Sequence, residues 1–278
     1  MAHYFNTVLL PRVKKVTYSP AWKNGRPARL ATCEEADRSP RIVKVVRLES
    51  YEDTLNNLDV RRPEPLQRLL DGPSARCPSG AREDYVIRYM LDVETRHSPS
   101  LLNLASFLDP FAYLLKVKRP GSDESLEVAV DLIETFNWLL GLRVASVVAT
   151  RSFSATFSAC GKQRRVAALS PTGAGEGRWW FRAVEGKLPD DRRALIIWRN
   201  RPGGDEPDGI ERDNAVLDAW FRESRNANRH GEFDLVYANG DHNLESLKEP
   251  DQNWAGQVIE DHFTRLMFEG AEDGDRAW

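Results

Sequence analysis

The sequence predicts a mixed α/β fold, a mostly antiparallel sheet with packed helices behind a basic N-terminal helical arm. Three observations carry this. Stretches 144–150, 165–170, 178–186, 194–200 and 233–240 are β-branched or aromatic runs of strand length. The stretch 123–140, DESLEVAVDLIETFNWLL, has an apolar stripe at helical spacing through Leu126, Ala129, Val130, Ile133, Phe136 and Leu140, with Ser122 or Asp123 as cap and Gly141 as stop. A further helix at 210–222 separates the last two strands, and that order implies one parallel crossover in the sheet.

From the N-terminus, residues 4–18 read as an amphipathic helix with Phe5, Val8, Leu9, Val13 and Val16 on one side and Pro11 as a kink or break. Residues 19–40 are rich in Pro, Gly and charge and read as an exposed arm. The expected domains are therefore 1–40 and 41–278, with 121–145 as the place for a subdivision. The run Arg41 to Arg47 predicts a cationic strand, and 49–58, ESYEDTLNNL, a short helix capped by Ser50 with Tyr51, Leu55 and Leu58 on its apolar face. A helix at 63–70, a loop at 71–84 and strands at 85–95 and 111–121 follow.

Length allows one or two domains of roughly 100–200 residues each. No apolar run approaches the roughly 20 residues of a membrane helix, and the N-terminal charge follows the apolar stretch, opposite to a secretory signal. A cytoplasmic chain without membrane association is the expectation. Cys33, Cys77 and Cys160 are far apart with no CxxC spacing, which predicts reduced thiols and no zinc site. The net charge of −3 conceals segregation: residues 1–48 carry +7, 49–138 carry −6, 139–201 carry +8 and 202–278 carry −12. Two basic blocks on an acidic protein are the footprint of a phosphate-backbone partner, or they neutralise the acidic blocks across an internal contact. Arg12, Lys14, Lys15, Arg41, Lys44, Arg47, Lys162, Arg164, Arg165 and Arg199 are the candidate DNA contacts.

Three motifs invite chemical readings. LDPF, Leu108 to Phe111, resembles the Asp-Pro-Pro-Tyr/Phe tetrad of amino-methyltransferases but lacks the second proline, and Asp-Pro is commonly a turn opener. GAGEG, Gly173 to Gly177, has the composition of a phosphate or S-adenosylmethionine loop, yet a strand pattern follows where a helix is needed. YANGDHN places Asn239, Asp241 and His242 at a predicted strand end, where α/β sites lie, although Asn-Gly is also the strongest tight-turn signal. No metal-ligand spacing and no nucleophile–base pair stands out, so neither catalytic nor cofactor-binding residues are assigned.

The phrases YFNTVLLPRVKKVTYSPAWKNGRP, RIVKVVRLESYEDTLNNL, DLIETFNWLLGLRV, ALIIWRN and FDLVYANGDHNL, in that order, resemble the C-terminal part of site-specific DNA adenine methyltransferases related to the modification subunits of type III restriction systems. The resemblance runs through nearly all of residues 2–269, and LESYEDTLNN is its most specific phrase. In that family the cofactor and catalytic motifs lie upstream of the segment matching Tyr4 to Val16. The resemblance thus implies a non-catalytic part of a methyltransferase whose parent uses S-adenosylmethionine, and it makes LDPF and GAGEG chance matches. It implies DNA, the catalytic portion or a second protomer, and a restriction or translocase subunit as partners. The alternatives are an interaction scaffold that never touches DNA and a compact enzyme built on YANGDHN and IIWR.

Overall fold

The computed structural model describes residues 4–38, 41, 43–59, 95, 98, 107–119, 122–160, 163–173, 175–204, 206–227, 233–250 and 252–268. The expected helix at 63–70, loop at 71–84 and, apart from Thr95, strand at 85–95 lie outside these residues. The fold is mixed α/β, in two compact units: 1–56 with 116–127, and 57–115 with 128–278.

In the first unit a π-type turn, Phe5–Leu9, runs into α1, Leu10–Tyr18. Leu9 and Leu10 both keep right-handed helical angles, so the helix runs through Pro11 unbroken, with the wider π-type turn immediately before it. The stretch read as an exposed arm carries regular structure. Strands β1, Ala21–Lys23, and β2, Arg26–Arg29, pair antiparallel around Asn24 and Gly25, whose φ angles of 52° and 70° suit a type I′ turn. Helix α2, Cys33–Arg38, opens on a reciprocal cap: the Thr32 N–H donates to Glu35 Oε2 at 3.0 Å and the Glu35 N–H to Thr32 Oγ1 at 3.4 Å.

The cationic strand expected at Arg41 to Arg47 is not a strand. Its described residues are in no sheet, and Val45 and Val46 are exposed. β-propensity expresses how well a residue fits a half-buried pleat, and no strand among the described residues pairs with this segment to supply that pleat. Side chains hold the segment instead: Arg41 Nη1 donates to the Thr17 carbonyl at 2.7 Å and the Tyr18 hydroxyl donates to the Arg41 carbonyl at 3.3 Å.

The Ser50-capped helix forms as α3, Tyr51–Asn56, with a different inner face. Tyr51 and Leu55 are exposed, whereas Asp53 is 2% exposed. The Asp53 N–H donates to Ser50 Oγ at 3.1 Å, and the Ser50 hydroxyl donates back to Asp53 Oδ2 at 2.7 Å. Asp53 Oδ1 accepts the Lys118 N–H at 2.7 Å, and Arg47 lies 3.7 Å from Oδ2. Lys118 ends β3, Leu114–Lys118, which pairs with β4, Ser125–Ala129. The phrase LESYEDTLNN therefore encodes a clasp between a helix start and a hairpin.

The hairpin corrects the 123–140 helix, which is shorter: α4 spans only Leu132–Leu139. Its cap is Asp131, whose Oδ1 accepts the Glu134 N–H at 3.0 Å, and it ends at Gly141 with φ +62° as the sequence predicts. The acids read as a first helical turn lie at the hairpin, with Asp123 3.2 Å from Lys118 and Glu124 3.5 Å from Arg119.

The second unit is built on a seven-stranded sheet. Its strands are β5, Arg143–Val147; β6, Arg151–Cys160; β7, Gln163–Thr172; β8, Trp179–Lys187; β9, Arg193–Arg199; β10, Leu235–Ala238; and β11, Ala255–Val258. The order is β11-β10-β9-β8-β6-β7, with β5 also on β8. The strand pairs β5–β8, β6–β7, β6–β8 and β8–β9 are antiparallel, while β9–β10 and β10–β11 are parallel. Helix α5, Gly209–Ala227, makes the predicted crossover between β9 and β10. Three elements of this unit escaped the sequence reading: β6, an alternation in RSFSATFSAC, β11, and α6, Ile259–Phe268.

Strand β9 is buried on both faces, which explains its unbroken apolar run. On one side Phe181 stacks on Trp220 of α5 at 4.7 Å, within a cluster that includes Ile197, Leu217 and Val236. On the other, Phe136 of α4 stacks on Phe263 of α6 at 5.4 Å and meets Trp198 edge-on at 6.0 Å. Such pairs add about 0.5–1.5 kcal/mol each beyond area burial.

Two outcomes are expected. Phe181→Ala lowers the unfolding free energy by about 3–5 kcal/mol in urea titration. For Asp53, burial pushes the carboxyl up, but the Lys118 amide, Ser50 and Arg47 outweigh it and hold the pKa below the ordinary value. A depressed folded-state pKa stabilises above the unfolded value and is lost as pH falls through the folded one. Hydrogen-exchange protection of the Lys118 amide therefore collapses in acid, from about pH 4 downward, and in Asp53→Ala it is lost at neutral pH.

Candidate functional site

The ten candidate cations divide between the units. Arg12, Lys14 and Lys15 are exposed on α1 and make no ion pair among the described residues. Arg41, Lys44 and Arg47 are also exposed, but Arg41 holds the Thr17 carbonyl and Arg47 faces Asp53. In the second unit Arg165 is exposed on β7. Lys162 and the Arg164 side chain lie outside the described residues. Within the first basic block, Arg29 is neutralised by Glu35 through two 2.7 Å hydrogen bonds, which hold that carboxyl at about 2.

Arg199 is a correction. It is 1% exposed at the end of β9, and its guanidinium is consumed internally. Nε donates to the Asn239 carbonyl at 3.2 Å, Nη1 to the Asp213 carbonyl at 2.8 Å, and Nη2 to Asn214 Oδ1 at 2.8 Å and the Asp241 carbonyl at 3.3 Å. Burial pulls its pKa down to about 10, helped by the like charge of Arg201 and opposed by Asp213, Glu260 and Asp218. With its donors occupied and no surface exposed, Arg199 is not a phosphate contact.

The strand-end residues do come together with IIWR. Asn239 is fully buried at the end of β10, beside β9. Its Oδ1 accepts the Arg199 N–H at 2.8 Å, and its Nδ2 donates to the Arg199 carbonyl at 2.9 Å and the Phe107 carbonyl at 3.2 Å. The side-chain amide thus extends the strand pairing by one residue. The tight-turn reading holds only for Gly240, which has φ +75°, since Asn239 keeps a negative φ. The Gly240 N–H is held by both oxygens of Glu260, at 2.7 and 2.9 Å, and Arg201 approaches Glu260 to 3.6 Å. The positive φ favours glycine at 240, and a Cβ there would lie 2.5 Å from Arg201 Nη1 and displace that side chain.

Asp241 is exposed and enters the cluster through its carbonyl. His242 Nε2 donates to the Gln257 carbonyl at 3.1 Å, and burial lowers the ring's pKa against that bond. Glu245 Oε1 accepts the Gly256 N–H at 2.7 Å. Asp213 accepts from Trp179 Nε1 at 2.8 Å and from the Gly203 N–H at 3.0 Å. The sequence reading missed Glu260, Asp213 and Asn214, because each acts on a partner far away in the chain. Chemically the cluster is a structural clamp: Asn239 and Arg199 spend their polar groups on each other and on neighbouring backbone.

The two motif coincidences also resolve locally. Asp109 Oδ1 accepts the Phe111 N–H at 3.0 Å and caps a 3₁₀ turn, Pro110–Ala112, before β3, so LDPF is a turn opener. GAGEG joins two strands, β7 and β8, with no helix following. Gly177 packs so closely that a Cβ would sit 2.5 Å from the Phe153 backbone nitrogen.

Among the described residues no three His, Cys, Asp or Glu side chains are grouped to hold a metal, and no helix is long and apolar enough to cross a membrane. No family model, curated protein or solved structure matches the chain.

Arg199→Leu is expected to lower the unfolding free energy by about 3–5 kcal/mol in denaturant titration, because it strands buried acceptors. Burial raises the Glu260 pKa, against the Gly240 amide and the two arginines. A raised folded-state pKa means that its contribution is full below the unfolded value and is lost as pH rises through the folded one. Stability thus declines across the range just above the ordinary Glu value, and Glu260→Gln removes that decline in a thermal-melt series against pH.

Proposed function

We propose that this chain is a non-catalytic, DNA-contacting part of an adenine-specific DNA modification system. It serves a methyltransferase whose S-adenosylmethionine site is supplied elsewhere, and its setting is cytoplasmic. The observation that carries the reading is the cationic surface of the first unit. Residues 1–33 hold six Lys/Arg and no Asp/Glu, and Arg12, Lys14 and Lys15 stand exposed on α1 with no ion-pair partner among the described residues. Exposed cations on a short rigid helix are suited to neutralising phosphates, a contact that fixes position without reading sequence. The sequence resemblance supplies the biological setting, with the catalytic portion or a second protomer and a restriction or translocase subunit as further partners.

A scaffold without DNA contact is the second reading. It is favoured by the Arg29–Glu35 and Arg47–Asp53 pairs, which neutralise part of the basic block internally. The α1 cations separate the two readings. Arg41 and Arg47 are poor probes, because reversing them breaks contacts that hold the first unit together.

Duplex affinity measured from low to moderate salt is expected to fall linearly on a log–log plot, with a slope of about −0.9 per phosphate neutralised. Arg12→Glu, Lys14→Glu and Lys15→Glu together flatten that slope and weaken binding at least tenfold at low salt. An unchanged slope removes the DNA reading and leaves the scaffold. Labelled S-adenosylmethionine, with or without duplex, is expected not to bind saturably.

A further inference from the structure

The first unit has no hydrophobic core among its described residues. It contains fourteen of the twenty-one exposed large apolar side chains and none of the buried ones. Its internal order comes from polar devices: the Asp53 clasp, the Thr32–Glu35 cap and the Arg41 bond to Thr17. Exposed apolar surface on this scale marks an interaction site.

Along α1 and Leu9, which caps it, the apolar residues are organised. Leu9, Val13 and Val16 recur at i, i+4 and i+7 and share one face, yet Leu9 is 44% and Val16 62% exposed. Arg12, three residues after Leu9 and four before Val16, borders that stripe, and Lys15 follows it round the helix. Lys14 points elsewhere. The surface is thus an apolar stripe edged by cations, on a stretch of chain without a single carboxylate up to residue 33.

We propose that the α1 stripe docks onto an apolar groove or helix of a second protein whose rim carries carboxylates. DNA does not cover such a stripe, since a duplex offers phosphates and polar groove edges to a helix of this kind. A second copy of this chain is disfavoured, because a two-fold pairing through the stripe sets Arg12 and Lys15 against themselves. An acid-rimmed apolar surface satisfies both the stripe and its edge. The inference shares Arg12 and Lys15 with the DNA reading but rests on the apolar stripe, which that reading does not use.

The test uses the full chain and two labelled 18-residue amphipathic peptides with the same leucine stripe, one flanked by glutamates and its twin by lysines. The variant is Leu9→Gln, Val13→Gln and Val16→Gln together, which removes the stripe and leaves the charge unchanged; all three positions are exposed, and an unchanged thermal midpoint verifies its fold. The expected result is anisotropy-detected binding of the glutamate peptide, at least tenfold weaker binding by the variant, none of the lysine twin, and unaltered duplex affinity in the variant. Equal binding of the twins, no binding of either, or binding that ignores the substitutions overturns the proposal. So does a dimer that the variant dissociates, or preferential binding to phosphatidylcholine vesicles containing phosphatidylserine. Loss of duplex binding in the same variant also overturns it and assigns the stripe to the DNA interface, whereas an insensitive α1 cation variant overturns only the DNA reading.

Discussion

One buried guanidinium fixes the end of the central sheet. Arg199 is the last residue of β9, and its donors reach the loop after β10 and the α5 helix. A cation so far from water persists only when its hydrogen bonds are met and opposite charge lies near. Asn239 meets the strand backbone, and Asp213, Glu260 and Asp218 supply the field. The parallel register of β9 and β10 and the docking of α5 are thus coupled through a single side chain. Exchanging it for lysine would keep the charge while losing the planar fork that reaches several acceptors at once.

The two units are stabilised by different physics. In the second, aromatic and aliphatic residues pack on both faces of β9, and polar groups seal the strand ends. In the first, hydrogen bonds and caps set the local geometry while apolar side chains remain in water. A unit of the second kind rests chiefly on burial, with polar bonds fixing the strand ends. One of the first kind gives each cap or clasp a large share of its order, because no apolar core among its described residues compensates.

Much of the second unit was legible in the sequence. The runs ALIIWRN, RWWFRAVEG and FDLVYANG are strands because their β-branched and aromatic residues meet buried faces, and the α5 crossover follows from their order. Strand β6 was equally legible, as an alternation of Ser or Thr with apolar residues, and was overlooked because its polar half resembles a loop. In the first unit local chemistry outweighed periodicity. Asn24-Gly25 and the Thr32-to-Glu35 spacing are turn and cap signals inside a stretch whose composition reads as an arm. Asp131 competed successfully with Ser122 as the cap of α4. The site was half legible: Asn239 and Arg199 stood in quoted motifs, but their partners Asp213 and Glu260 become visible only in three dimensions.

The side chains that cover β11 carry one further implication. Glu245 accepts the N–H of Gly256, and His242 donates to the carbonyl of Gln257, on a four-residue strand at the border of the sheet. The Ala255 N–H bonds the Asp234 carbonyl, so the Gly256 N–H one residue on faces away from β10 and is a group that an incoming strand would use to extend the ladder. The Glu245 carboxylate thus occupies the place of a further strand. Protection of this edge against strand addition falls to Glu245, separately from the stability of the fold it borders.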